Sequence, residues 1–519
     1  MQDVIQLVET ALLHALAGAY ALALLALSLY GLNFLYLIAV AWRHRRVQAQ
    51  PPDLIDCPMV TVQVPIYNER AVAERVIEAV CGLDWPRDRF EIQVLDDSTD
   101  ETREIVAQAA ARWRGAGVDV VHIHRAKRSG YKAGALSAAL PTARGEYIAI
   151  FDADFVPPAD FLRRAMRPLA ADAHLAFVQA RWGHLNREAS LLTRLQSLSI
   201  DGHFLVEQFA RNCGGYVMNF NGTAGVWRRC AIEDSGGWSA GTLTEDLDLS
   251  YRAALRGWSS RLLPDLIVPA ELVADMAAYR RQQARWAQGS IECAVRLLPQ
   301  VWRSALARRI KIESYFHLTG YFIQVLMLIM SIVYPLVVTT ADRAPLLHAV
   351  YSAGWLFAPL ALAPTLFFAY GQMALDRRLL WRRVPYLLCL TILGSGMVLN
   401  SARAIGRALR GHAAVFERTP KSGQVGPDPA SLHRSYSLPF DSMILAEFGL
   451  CLFNLNTARL AWLAHSWGIL LYAIVFAAGL AYTAGLSLWQ GRSALVEEVR
   501  SFGSRLARGR EKQIVRRIY

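Results

Sequence analysis

From Leu12 to Trp42 almost every residue is apolar, and the run ends on Arg43, His44, Arg45 and Arg46. That exceeds the roughly 20 residues needed to cross a bilayer, so one long membrane helix is expected, with its basic end in the cytosol. No basic n-region or small-residue cleavage site accompanies it. The segment 1–48 is therefore expected to stay attached as an anchor. Further apolar stretches gather at the other end, from Tyr315 to Thr339, Pro345 to Tyr370, Asp441 to Ala464 and Trp467 to Trp489. The chain is 54% hydrophobic over 519 residues, and that excess sits at its two ends. The middle reads as a soluble domain.

A shorter apolar stretch, Val384 to Asn400, is flanked by Arg377, Arg378, Arg382 and Arg383 on one side and Arg403, Arg407 and Arg410 on the other. If it spanned, one basic cluster would lie outside, against the positive-inside bias. It is expected in the interface or as a re-entrant segment, which leaves five spans and an Arg-rich cytosolic tail over 491–519. The stretch beginning at Asp441 contains Glu447, Asn454, Asn456 and Arg459. Such polar groups face a bundle interior or a water-filled path, unless the span is drawn too wide.

Net charge is +12, carried almost wholly by Arg; Lys127, Lys132, Lys311, Lys421 and Lys512 are the only lysines. No basic block interleaves with aromatics as a nucleic-acid binder would need, so nucleic acid is excluded as a partner. A lysine surviving in so Lys-poor a chain points to a position where Arg will not serve. Cys57, Cys81, Cys213, Cys230, Cys293, Cys389 and Cys451 are scattered, without Cys-x-x-Cys or zinc spacing, and read as reduced thiols.

After a Pro/Asp linker the pattern becomes short apolar runs alternating with helical periods. Strands are expected at Met59 to Pro65, Phe90 to Leu95, Val118 to His124 and Tyr147 to Phe151, with helices at Ala71 to Cys81, Thr99 to Trp113 and Gly134 to Leu140. Such alternation implies parallel strands covered by helices, with ligands at the strands' carboxyl ends. Those ends carry Tyr67 and Glu69, Asp96 and Asp97, and Asp152 and Asp154.

Two carboxylates on alternate residues at a strand end, as in Asp152-Ala153-Asp154, suit Mg²⁺ or Mn²⁺. Asp97 could accept hydrogen bonds from a base or ribose, or Asp97 or Ser98 could cap the next helix. Thr244-Glu245-Asp246 offers a general base in Glu245 or Asp246, and is equally a good helix start. From Met276 to Ser314 the chain is basic and amphipathic, as for helices on a membrane surface. Within it Gln282, Arg285 and Trp286 lie at i, i+3 and i+4, one face presenting an amide, a bidentate cation and a flat apolar plate.

In this order, Asp, Asp-x-Asp, Thr-Glu-Asp and Gln-x-x-Arg-Trp, the set resembles the processive family 2 glycosyltransferases of the cellulose-synthase superfamily. The resemblance covers about residues 55 to 490 and is nearest the cellulose-synthase-like A and C branch of mannan, glucomannan and xyloglucan-backbone synthases. The runs Arg128 to Leu136, Val178 to Trp182, Leu192 to Gln196 and Phe220 to Arg228 carry it. The resemblance implies an A-type, Rossmann-like mixed-sheet α/β transferase domain over 49–275, inserted between transmembrane helices. Interface helices over 276–314 and a membrane bundle over 315–490 would follow.

It further implies that Tyr67, Glu69, Asp97, Lys132, Asp152, Gln282 and Arg285 bind the nucleotide-sugar donor, with Asp152 and Asp154 on the metal. Asp246, beside Glu245, would be the base, and Trp286 with Phe220, Asn221, Gly222 and Thr223 would meet the growing glycan. Phe416, Thr419 and Lys421 resemble a gating loop within 411–430, although Arg418 departs from the usual Val. The short tail leaves no room for the family's cyclic-dinucleotide domain.

The implied activity is inverting polymerisation of a hexose from GDP-mannose or UDP-glucose into a β-1,4-linked polysaccharide, with translocation by a multi-pass protein of the inner or plasma membrane. Export or periplasmic partner proteins and oligomeric state are left open. A non-processive glycolipid synthase would share the same motifs.

Overall fold

The computed structural model describes residues 1–45, 52–411, 421–423, 425–426 and 443–491. Its middle is a seven-stranded sheet: β1 Val60–Ile66, β2 Phe90–Asp96, β3 Val120–His124, β4 Tyr147–Ile150, β5 Leu175–His184, β6 Gly225–Arg228 and β7 Ser259–Ala270, in the order β3-β2-β1-β4-β6-β5-β7. Val60, Val62, Val64 and Ile66 alternate along β1, so one face packs into the core with Val76, Val80 and Phe151. β3, β2, β1 and β4 are parallel, as their alternation with helices implies. Beyond β4 the sheet becomes mixed, because the four-residue β6 enters antiparallel between β4 and β5 while β7 runs parallel to β5. The strand order reverses at the β1/β4 boundary, where an open α/β sheet leaves a crevice.

The N-terminal helix is unbroken from Gln2 to His44, about 65 Å at 1.5 Å per residue. Gln2–His44, Phe322–Arg343, Ala358–Leu375 and Trp467–Gly491 are long and apolar enough to cross a membrane. Met443–Leu463 is a 21-residue helix whose buried Glu447 and Asn454 find partners within the protein, while Asn456 and Arg459 are exposed. Asn454 and Ser331 exchange hydrogen bonds at 2.9 and 3.0 Å, and Glu447 takes two bonds of 2.6 Å from Arg280.

One expectation is corrected. Pro345 to Tyr370 is no single helix: Pro345–Ala353 gives way to short turns, and a new helix runs Ala363–Leu375. Pro359 and Pro364 lack the N–H a continuing helix needs and sit instead in first turns. The stretch 384–400 is also divided. Leu380–Gly396 and Val398–Leu409 meet near Met397 at a 46° bend, measured from Arg377. The second piece packs Ala404 on Ala284 and Ala287.

Membrane-type helices and the sheet domain interlock. Val206 and Ala210 share a cluster with Leu37, Ala41, Phe367 and Tyr370. A Cβ on Gly371 would come within 3.0 Å of Gly202 Cα, so these helices touch backbone to backbone.

Candidate active site

Asp152 and Asp154 leave β4 on either side of Ala153, which is buried. The Asp152 N–H donates to Thr223 Oγ1 at 2.8 Å, fixing the loop from below. Each carboxylate carries an ammonium. Lys132 Nζ lies 2.5 Å from Asp152 Oδ1 and Lys421 Nζ 2.7 Å from Asp154 Oδ2. Lys132 also donates to the Gly222 carbonyl at 2.8 Å and stands 4.0 Å from Glu245. Burial raises the Asp152 pKa and Asp154 adds to it, while Lys132 opposes.

Glu245 and Asp246 open the helix Glu245–Leu255, for which Thr244 makes no side-chain cap. Asp246 Oδ1 accepts from the Leu247 N–H at 2.8 Å. Its carboxyl is pushed up to about 7, first by burial and then by the neighbouring Glu245 charge, with Lys132 pulling the other way. Gly222 faces it at φ +78°, and a Cβ there would meet Asp246 Oδ2 at 3.0 Å and Lys132 Nζ at 3.3 Å. Left-handed backbone costs an L-residue about 1–2 kcal/mol. Gly222→Ala is therefore expected to lower kcat at least tenfold with thermal stability lowered only slightly, as measured by transfer assay and melting. An unchanged kcat would show that the approach of this loop to Asp246 is not used.

Gln282, Arg285 and Trp286 come from the helix Met276–Arg303, whose start is capped by Asp275 Oδ1 accepting from the Ala278 N–H at 2.7 Å. Gly289 lets that helix approach the Thr-Glu-Asp turn, since a Cβ there would lie 2.6 Å from Thr244 Cγ2. Burial lowers the Arg285 pKa from its ordinary value, opposed by Glu245, Asp152, Asp246 and Asp154.

Over β1 and β2, Asp97 caps no helix: Arg125 holds it through two bonds of 2.7 and 2.6 Å. The helix Thr102–Gly115 has Glu101 at its N-cap with no side-chain cap, and Asp100 just before it accepts from the Thr102 N–H at 3.0 Å. The Arg128 guanidinium lies 3.6 Å from the centre of the Tyr67 ring, a cation–π stack.

Tyr67, Glu69, Asp97, Lys132, Asp152, Asp154, Asn221, Gly222, Glu245, Asp246, Gln282, Arg285, Trp286 and Lys421 line one cleft. Its enclosed part has a cavity volume of about 210 Å³, and the cleft opens to solvent. Phe220 and Thr223 do not line it. Both are fully buried behind the wall, Phe220 against Phe177 and Trp227, which corrects their reading as acceptor contacts. Phe416 and Thr419 lie outside the described residues.

Sequence reasoning missed Arg125, Gln179 and Glu271. Gln179 Oε1 accepts from the Asn221 N–H at 2.9 Å and its amide donates to the Thr223 carbonyl at 3.0 Å, tying the 220–224 loop to β5. Glu271 accepts from the Ser422 N–H and hydroxyl at 2.8 and 3.0 Å, drawing Lys421 over the cleft. Only Gln179 lay in a run that had been singled out.

Residues 58–289 match the glycosyltransferase like family 2. They form a family 2 glycosyltransferase domain. Glucomannan 4-beta-mannosyltransferase 2 of Arabidopsis thaliana is 45% identical to this chain over 255 residues, 48% of this chain and 48% of the relative. Glucomannan 4-beta-mannosyltransferase 1 of Oryza sativa subsp. japonica is 45% identical over 251 residues, again 48% of each. The chain thus matches about half the length of these curated relatives. The chain also aligns with a solved mannosyltransferase from Pyrobaculum calidifontis in complex with GDP-Man and Mn2+, at TM-score 0.49 and 23% identity, covering 77% of this chain and 100% of that one.

Proposed function

We propose that this glycosyltransferase is a multi-pass enzyme of the inner or plasma membrane, its catalytic domain in the cytosol, that adds mannose or glucose from a nucleotide-sugar to a growing β-1,4-linked glycan and passes the product through its membrane helices. The observation that carries the reading is one cleft holding the Asp152/Asp154 pair, the buried Asp246 and the Gln282, Arg285 and Trp286 face. Mannose is favoured because the relatives sharing the domain are named mannosyltransferases.

Asp246 takes the proton of the acceptor hydroxyl. The freed oxygen attacks the anomeric carbon opposite the diphosphate, the carbon–oxygen bond to the diphosphate breaks, and configuration inverts. Gln282 and Arg285 hold the departing diphosphate, Trp286 stacks on the terminal acceptor sugar, and Lys132 ties Asp152 to the Gly222 carbonyl.

Asp152 and Asp154 would hold Mg²⁺ or Mn²⁺. The pair fits such an ion, since each carboxylate already attracts a cation, and two carboxylates completed by phosphate oxygens and water are a usual Mg²⁺ set. Bound there, the ion supplies charge that neutralises the leaving diphosphate.

The decisive experiment supplies purified protein in lipid with GDP-mannose or UDP-glucose and divalent metal, then sizes and digests the product. A mannanase-sensitive polymer supports the reading, and a small chloroform-soluble product replaces it with a glycolipid synthase. A pH dependence follows from Asp246. The base works only when ionised, and its pKa is raised, so kcat/KM is expected to rise with pH through a limb centred on about 7. Glu245→Gln removes a charge that helps raise it and should move the limb to lower pH. A limb moving upward would contradict the assignment.

A further inference from the structure

His184 is the last residue of β5 and lines the cleft with its side chain only 4% exposed. Its Nε2 lies 3.0 Å from Asp201 Oδ1. Asp201 is fixed from behind, its Oδ2 accepting from Arg187 at 2.6 Å and from Gln372 at 3.2 Å, and Gln372 accepts in turn from Arg383 at 2.6 Å. An ionised carboxylate only accepts, so in the neutral imidazole Nε2 carries the hydrogen and Nδ1 offers a lone pair. Nδ1 is buried with no partner among the described residues. Leaving a buried acceptor unmade is unfavourable, and natural proteins rarely do so without cause.

Two residues earlier, and so on the same face of the strand, Trp182 also lines the cleft, and its Nε1 is likewise buried and unpartnered among the described residues. One wall therefore holds one buried acceptor and one buried donor that have no partner among the described residues. A sugar hydroxyl both donates and accepts, whereas a diphosphate oxygen has no hydrogen to give Nδ1. Sheet order places this wall away from the nucleoside side. β5 is separated from β2 by β6, β4 and β1, four strand spacings or roughly 19 Å, with Asp152 and Asp154 between. The helix Leu191–Gly202 behind it packs against Leu387, Leu390 and Leu393, on the membrane side.

We infer that His184, held by Asp201, reads the glycan acceptor, its Nδ1 accepting a hydrogen bond from a sugar hydroxyl while Trp182 donates beside it. The inference rests on the proposed glycosyl transfer for the identity of the acceptor. The test uses the full chain in lipid with mannotetraose and cellotetraose as added acceptors, and measures equilibrium binding of each alongside kinetics with GDP-mannose and UDP-glucose. His184→Phe is expected to weaken oligosaccharide binding and raise its KM tenfold or more, with donor KM and donor hydrolysis within twofold of wild type. His184→Asn, which keeps an amide for Asp201 and a carbonyl for the sugar, should recover most of the loss. Trp182→Phe, a second variant that removes the indole N–H, should weaken binding threefold or more. If no donor supports transfer but oligosaccharide binding still falls in these variants, the proposed activity fails and this assignment stands. If the variants bind both oligosaccharides as wild type does, or if donor KM rises in place of acceptor KM, the assignment is overturned.

Discussion

Asp246→Asn is expected to lower kcat by about 10²- to 10⁴-fold, the range for losing a positioned general base, while donor affinity stays within about threefold. The amide is isosteric, and its oxygen can still accept from the Leu247 N–H that now bonds Asp246 Oδ1. What it loses is the ability to take a proton. Titrating the variant with donor, then sizing the product made under saturating donor, separates binding from chemistry. A variant turning over at the wild-type rate would remove Asp246 from the mechanism.

The second large effect concerns stability. Arg280 precedes Gln282 on the same helix and makes two 2.6 Å bonds to Glu447, with side-chain exposures of 6% and 0%. Removing one partner of a buried pair leaves an uncompensated charge and costs about 3–5 kcal/mol, whereas replacing both by apolar groups is often neutral. Glu447→Leu alone is expected to unfold or inactivate the protein well below the wild-type temperature. Arg280→Met together with Glu447→Leu should restore most of that loss. Retention of fold after heating in detergent measures it. A double variant as unstable as the sum of its single variants would mean that the two side chains act independently.

What was legible in the sequence follows the range of the forces concerned. β1 to β4 alternate with helices inside short windows, so local periodicity is enough to place Tyr67, Asp97, Asp152 and Asp154 at one edge. β6 is four residues long and pairs antiparallel with strands far away in sequence, which no local period encodes. Hydropathy over Pro345 to Tyr370 averages across Pro359 and Pro364 and so hides the break. Phe220 and Thr223 were read with their loop as a block, but both turn into the protein, and of the four only Asn221 and Gly222 reach the cleft. Long-range partners such as Glu447 for Arg280 and Asp201 for His184 leave no trace in spacing. The lysines did leave one: in a chain so poor in Lys, two of them sit on Asp152 and Asp154.

The interlocked helices also bear on what can be expressed alone. Residues 58–289 are a unit of descent, yet Val206 and Ala210 are covered by Leu37, Ala41, Phe367 and Tyr370, which lie outside that range. Cut at its evolutionary borders, the piece would turn an apolar seam to water and aggregate. Inheritance and autonomous folding part company here: the catalytic half is portable through genomes but not through a test tube.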